Sequence, residues 1–353
     1  MGIATLSNSE FAAPCSEPRG ANLRITALDE IRAIDRPSTF AERSTMFAFD
    51  LTKPGIATAT LLDGRTLGIE VTDAMAVARC GLGVIDPQHG QGAGADELAA
   101  IEACLEVPLP PAGARLVTIR PDLDSVGAMA VLALRADGIA IDGVMRDRIR
   151  RIAAVDRFER GSWPGRRPLP ESAEEILEEG IGVELSALAA AVADRAVPLA
   201  ERVRTAQRWL VDGSVPEAYL LAATSRARAL FRSLCLGATR VERWLGKRIG
   251  VVISLEPGAL ALAYRVAPVV VALNPAFCFR DGVLGAKYTL ARWQVGYADL
   301  QLATDFLNRV EPGWGGQAGI KGSPLDRPSR LPLDMVVEAA NLGLPRLQWG
   351  NVP

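Results

Sequence analysis

Histidine occurs once in 353 residues, at His89. A metal site built from several imidazoles is therefore excluded, and a Ser-His-Asp relay would have to run through that one residue. No serine stands in a Gly-x-Ser-x-Gly frame, so acyl transfer has little support. Cysteine is sparse and scattered: Cys15, Cys80, Cys104, Cys235 and Cys278, with no Cys-x-x-Cys pair. An odd count at such spacings fits reduced thiols rather than a disulfide framework or a zinc site, and predicts a cytoplasmic protein. Aromatics make up only 5% of the chain, so its cores must rely on Leu, Val, Ile and Ala. Charge is balanced, 39 Lys and Arg against 41 Asp and Glu, which leaves no global basic field to draw in nucleic acid. Long apolar runs are missing as well. The most hydrophobic strand, 266–273, is too short to span a bilayer. Segment 1–20 lacks a basic stretch followed by an apolar one, as a secretory signal would require, and no membrane partner is expected.

What is present is concentrated around residues 115–136. The apolar run 115–119 reads as a buried strand. It leads into Arg120-Pro121-Asp122-Leu123-Asp124-Ser125-Val126-Gly127, where a small-residue helix begins with Ser125 as its expected cap. Val126, Met129, Ala130 and Ala133 fall on one helical face. In an open α/β sheet, ligands sit beyond the carboxyl ends of the strands. Asp122 and Asp124 at such a turn offer oxygen ligands suited to a hard divalent cation, Mn²⁺ or Mg²⁺. The alternative is an acidic cap on a surface turn, which needs no metal.

Three further residues stand at expected element ends: Asp86, His89 and Asp156. Carboxylates gathered at one sheet edge repel unless a cation sits among them, and a divalent centre would activate water for attack on phosphorus. His89 is a candidate nitrogen ligand or proton donor to the leaving oxygen; a loop histidine held by backbone hydrogen bonds is the competing reading. Asp156 is a further ligand candidate or the partner of a neighbouring arginine. Asp124 and His89 are the candidate catalytic pair. A second cluster lies at Gly313, Gly315, Gly316, Gly319 and Gly322, with Gln317 and Lys321 among them and Arg330 beyond. Glycines let backbone approach an anion, and Lys321 and Arg330 add charge. The cluster matches neither a Walker loop nor a dinucleotide fingerprint. A tight turn between helix and strand remains its other reading.

The pattern predicts an α/β protein: a loose tail over 1–20, a larger parallel-sheet domain over 21–170, a helical connector over 171–236 and a smaller α/β domain over 237–353. In the first domain, 56–62 and 66–71 read as a hairpin around Asp63-Gly64. In the connector, 185–211 and 216–235 read as long helices. In the last domain, 248–255, 259–263, 268–273 and 287–293 read as strands and 299–310 as a helix. A final helix, 333–342, is expected to end at Gly343 as its C′ residue.

Together these residues resemble the DHH superfamily of metal-dependent phosphoesterases. Arg120-Pro121-Asp122-Leu123-Asp124-Ser125-Val126-Gly127 is similar to that family's first motif, and Gly315-Gly316-Gln317-Ala318-Gly319-Ile320-Lys321-Gly322 shares the glycine frame of its associated domain. Thr118 stands at the motif-one histidine position, Gln317 replaces the substrate-binding histidine, and no Asp-His-His triplet occurs. The resemblance implies a divergent member with a carboxylate-rich site: Asp86, His89, Asp122, Asp124 and Asp156 around Mn²⁺ or Mg²⁺. Gly315, Gly316, Gln317, Gly319, Lys321, Gly322 and Arg330 would then face the substrate. The implied reaction is water attack on a nucleotide, cyclic dinucleotide or short oligonucleotide. A non-hydrolytic nucleotide or nucleic-acid binder on the same scaffold and another kind of metal-dependent hydrolase both stay open, as does a homodimer.

Overall fold

Parallel pairing at the head of the chain brings a set of strand ends to one edge. In the computed structural model, which describes residues 46–52, 63–87, 98–157, 161–179, 181–244, 246, 248–279, 281–294 and 296–345, the first sheet holds β1 (Ala48–Leu51), β2 (Thr66–Ile69), β3 (Val84–Ile85) and β4 (Arg115–Thr118). Their order is β1-β4-β2-β3, and every pairing is parallel. Inner strands of a parallel sheet are covered on both faces; all of β2 is buried, and β4 from Leu116 onward, whereas the edge strand β1 buries only Phe49. β2 takes parallel partners on both sides, in place of the antiparallel partner expected across Asp63-Gly64. The 56–62 half of that expected hairpin lies outside the described residues.

Among the described residues, four helices accompany this sheet: α1 (Ala74–Val77), α2 (Ala100–Ala103), α3 (Leu123–Ala136) and α4 (Gly143–Asp156). Residues 124–134 of α3 are buried on every side, not only on the face that the spacing suggests. A helix apolar all round belongs inside a core, and the Ala- and Gly-rich sequence is what lets neighbours approach it. A Cβ on Gly127 would stand 2.6 Å from Ile101 Cδ1. The cap of α3 is Asp122 rather than Ser125. Asp122 Oδ1 accepts from the Ser125 amide at 3.0 Å, while Ser125 Oγ accepts from the Asp122 amide at 3.1 Å, a reciprocal capping box.

The helical region consists of α5 (Ala173–Glu179), α6 (Val183–Ala193), α7 (Leu199–Asp212) and α8 (Glu217–Cys235). The long helix expected over 185–211 is thus two helices. Pro198 caps α7, and the buried guanidinium of Arg202 donates to the carbonyls of Val197 and Val192 at 2.7 and 3.2 Å, supplying partners that the interrupted helix leaves without. Leu188, Val192, Val203 and Trp209 from α6 and α7 join the core around α3.

The second sheet has the order β5-β6-β7-β8-β9: β5 (Arg240–Trp244), β6 (Ile249–Ile253), β7 (Val269–Cys278), β8 (Leu284–Arg292) and β9 (Ile320–Gly322). Only β6 and β7 pair in parallel. That connection must carry the chain back across the sheet, so 259–263 contributes the short helix α9 (Leu260–Ala263) and not the expected strand. Gly250 admits the approach, since a Cβ there would lie 2.6 Å from the Ala263 carbonyl oxygen. Two helices, α10 (Leu300–Val310) and α11 (Leu333–Leu342), share a core with Ile249, Val269 and Leu290. Gly343 is the C-cap of α11 rather than the C′ residue expected, with a right-handed backbone at φ −79°. Glycine is required there for another reason: a Cβ would fall 2.1 Å from Asp299 O, and the Asp299 amide donates to Gly343 O at 2.7 Å.

A candidate metal centre at the carboxyl edge of the parallel sheet

Because β2, β3 and β4 run the same way, the residues that follow them emerge at one edge. Glu70 follows β2, Asp86 follows β3, and the turn after β4 leads to Asp122 and Asp124. Asp156, the last residue of α4, reaches the same place. Carboxylate oxygens of Glu70, Asp124 and Asp156 all lie within 4.8 Å of one another.

Each of the three is placed differently. Glu70 has φ +51°, a left-handed backbone that costs a non-glycine residue on the order of 1 kcal/mol or more. Its amide still donates to Ile85 O at 3.0 Å, so the chain leaves the sheet only after Glu70 is in register. Asp124 lies in the first turn of α3 and is buried. Its two oxygens accept from the amides of Ala100 and Ile101, at 2.7 and 2.9 Å. Asp156 stands at the carboxyl end of α4, where the helix dipole is unfavourable to an anion.

The electrostatics follow from this crowding. Burial, and then the nearby charges of Asp122, Asp124, Asp156 and Asp86, push the Glu70 carboxyl up to about 10. Burial and the Asp156 charge push Asp124 up to about 7, against the pull of its two amide hydrogen bonds. The three converging donors are all carboxylate oxygens, with no thiolate or imidazole among them, a set suited to a hard divalent ion such as Mg²⁺ or Mn²⁺. The residues present fit the group.

Of the residues expected from sequence, Asp124 and Asp156 are brought together. Asp122 and Asp86 act on Glu70 through their charge and stand outside the tight group. Asp122 has one oxygen engaged in the helix cap. His89 lies outside the described residues. Thr118 is buried at the end of β4, its hydroxyl directed to Arg120 O at 3.4 Å. Glu70 escaped the sequence reading. The signal that could have found it was the one used for Asp86, a carboxylate directly after a short apolar run.

The glycine segment belongs to the second sheet. Gly315 and Gly322 exchange two hydrogen bonds, at 3.1 and 2.7 Å, and close a turn onto β9. Gly316 has φ +134°, and a Cβ there would lie 2.5 Å from Ile320 O. The Lys321 ammonium is engaged within this structure, donating to Gly316 O at 2.9 Å and Gln301 Oε1 at 3.0 Å. Gly315, Gly316 and Gln317 are exposed, and Gly319 is half-buried. Arg330 is exposed, with its amide bound to Glu311 Oε1 at 2.8 Å.

No family model matches this chain, and no curated protein does. Among solved structures, it is similar to a pGpG-specific phosphodiesterase, PggH, from Vibrio cholerae, at 10% identity and a TM-score of 0.32, over 74% of this chain and 92% of that one. At that score the likeness bears on neither the fold nor the activity. Among the described residues, no helix is long and apolar enough to cross a membrane.

Proposed function

We propose that this chain is a divalent-metal-dependent phosphoesterase acting on a nucleotide, cyclic dinucleotide or short oligonucleotide. The convergence of Glu70, Asp124 and Asp156 at the carboxyl edge of a parallel sheet carries the reading. The resemblance of the Asp122–Asp124 turn to the first DHH motif supports the choice of reaction, and the substrate class rests on that resemblance alone.

Glu70, Asp124 and Asp156 would hold the ion, with Asp122 and Asp86 adding negative potential around it. Bound there, a divalent cation supplies Lewis acidity toward a phosphoryl oxygen and lowers the pKa of water. Asp124 contributes a pre-oriented carboxylate, because amides grip both of its oxygens and oppose rotation about its side chain. Asp156 and Glu70 bring charge from two other segments. We assign His89 the proton donated to the leaving oxygen. The exposed turn around Gly315, Gly316, Gln317 and Gly319, with Gly322 at its base, is proposed as the substrate-facing part of the second sheet. In this reading Arg330 offers charge to phosphate, and Lys321 shapes the turn.

The test is hydrolysis of bis(p-nitrophenyl) phosphate and a short oligonucleotide with Mn²⁺ or EDTA, in wild type and Asp124→Asn. Turnover that needs Mn²⁺ and falls at least about 100-fold in the variant is expected. Equal turnover in EDTA, or none lost in the variant, overturns the reading. Nucleotide binding without turnover points to the non-hydrolytic alternative.

A further inference from the structure

An ion pair stands beside the cluster. Arg157, the residue after Asp156, donates from Nη1 to Glu102 Oε2, and both side chains are largely withdrawn from water, at 17% and 15% exposure. The same Glu102 oxygen accepts from the Ala99 amide at 3.3 Å. Next along the chain come the Ala100 and Ile101 amides that grip Asp124. A continuous path therefore runs from Asp156 through Arg157 and Glu102 to the backbone of 99–101, and on to Asp124.

Two more contacts fix the 99–107 segment against α3. Gly127, on the same face of α3 as Asp124, leaves room for the fully buried Ile101. Near the far end of that helix, Arg135 donates from Nη1 to Cys104 O at 2.6 Å and Val107 O at 2.8 Å. The segment is thus anchored at both ends of α3. On the α4 side, Glu102 with Arg157 is a charged tie between this segment and the end of α4.

We propose that Glu102 and Arg157 are positioning residues that set the spacing of Asp124 and Asp156 for a divalent cation; this rests on the metal-centre reading above. Breaking the pair leaves all three cluster carboxylates in the chain. It removes the charged tie between the end of α4 and the segment that orients Asp124. Groups that orient metal ligands from outside the coordination sphere change metal affinity by roughly 10–100-fold when removed.

The experiment is the Mn²⁺ dissociation constant, read by electron paramagnetic resonance of free Mn²⁺ at fixed pH. The proteins are wild type, Glu102→Gln, Arg157→Met, the double variant, and Asp147→Asn as a control that breaks the exposed Arg150–Asp147 pair. Thermal melts accompany each, because a merely structural loss lowers Tm without moving the Kd of the folded protein. Each single variant is expected to weaken Mn²⁺ about tenfold or more. The double variant should be no worse than the weaker single, as for residues acting as one unit, and the control should be unchanged. Should Arg157→Met fail to fold, Glu102→Gln decides, since it keeps the size of the side chain and removes the charge that pairs with Arg157. Folded single variants with wild-type affinity, or losses that add in the double variant, overturn the proposal and leave the metal centre standing. Wild-type protein that binds no Mn²⁺ overturns both.

Discussion

Asp124 and Asp156 bring carboxylate oxygens within 4.8 Å of each other from opposite kinds of helix end. Asp124 lies in the first turn of α3, where the helix dipole welcomes an anion; Asp156 closes α4, where it does not. Two such groups in a mostly buried setting share a repulsive field, which a bound proton or a cation relieves.

The pH dependence of stability follows from this field, and its sign is unusual for carboxylates. Glu70 is raised to about 10 and Asp124 to about 7, so the native state holds protons that the unfolded chain has already released above pH about 4. Stability then falls as pH rises, through neutrality for Asp124 and onward toward the raised value for Glu70. In EDTA, Tm should decline from about pH 5 to about pH 9. Added Mn²⁺ binds the ionised carboxylates, so the shift it produces should grow with pH. Differential scanning fluorimetry across that range, with and without Mn²⁺, checks both trends; a Tm that climbs with pH in EDTA would contradict them.

Glu70→Gln should separate burial from ligation. The amide mimics the protonated acid that the apo fold prefers, so in EDTA the decline of Tm with pH should flatten. Mn²⁺ affinity should drop by at least about tenfold, because one of three anionic donors becomes neutral. Paired melts and Mn²⁺ titrations measure the two effects. Unchanged metal affinity would remove Glu70 from the site.

Gly127→Ala tests the close approach of α2 to α3. The added methyl would stand 2.6 Å from Ile101 Cδ1 in a fully buried environment. Overpacking of this kind typically costs about 1–3 kcal/mol. Urea unfolding should show that loss, accompanied by weaker Mn²⁺ binding as the Ala100 and Ile101 amides shift from Asp124.

Two neighbouring glycines in the second sheet should behave differently. Gly316→Ala places a Cβ 2.5 Å from Ile320 O on a backbone at φ +134°, and about 1–3 kcal/mol should be lost. Gly315→Ala meets nothing within 4 Å and should melt close to wild type. If the exposed turn also faces substrate, Gly315→Ala will raise KM while leaving Tm alone. Equal melting of the two variants would contradict the strained turn.

Much of the architecture was legible because its signals are local. The apolar runs of β4 and β7, the small residues of α3 and the Pro-Asp-x-Asp turn are short-range patterns. Asp124 and Asp156 were readable as acids at element ends. The break between α6 and α7 had a local signal that the long-helix reading passed over, Pro198 inside the run. Other features were hidden for a common reason. Helix α9 depends on a parallel pairing that forces the chain to cross back. Glycine at 343 answers to Asp299, a residue from another element.

The sequence by itself determined that strands and helices alternate, that a helix follows the Pro-Asp-x-Asp turn, and that no imidazole cluster could serve a metal. Tertiary structure alone decided which acids meet. Strand order, β1-β4-β2-β3, sets Glu70 beside Asp124, and the packing of α4 brings in Asp156. Pairing along the chain is set by local patterns, whereas the free energy of a carboxylate is set by its burial and by neighbours that arrive from elsewhere in the fold.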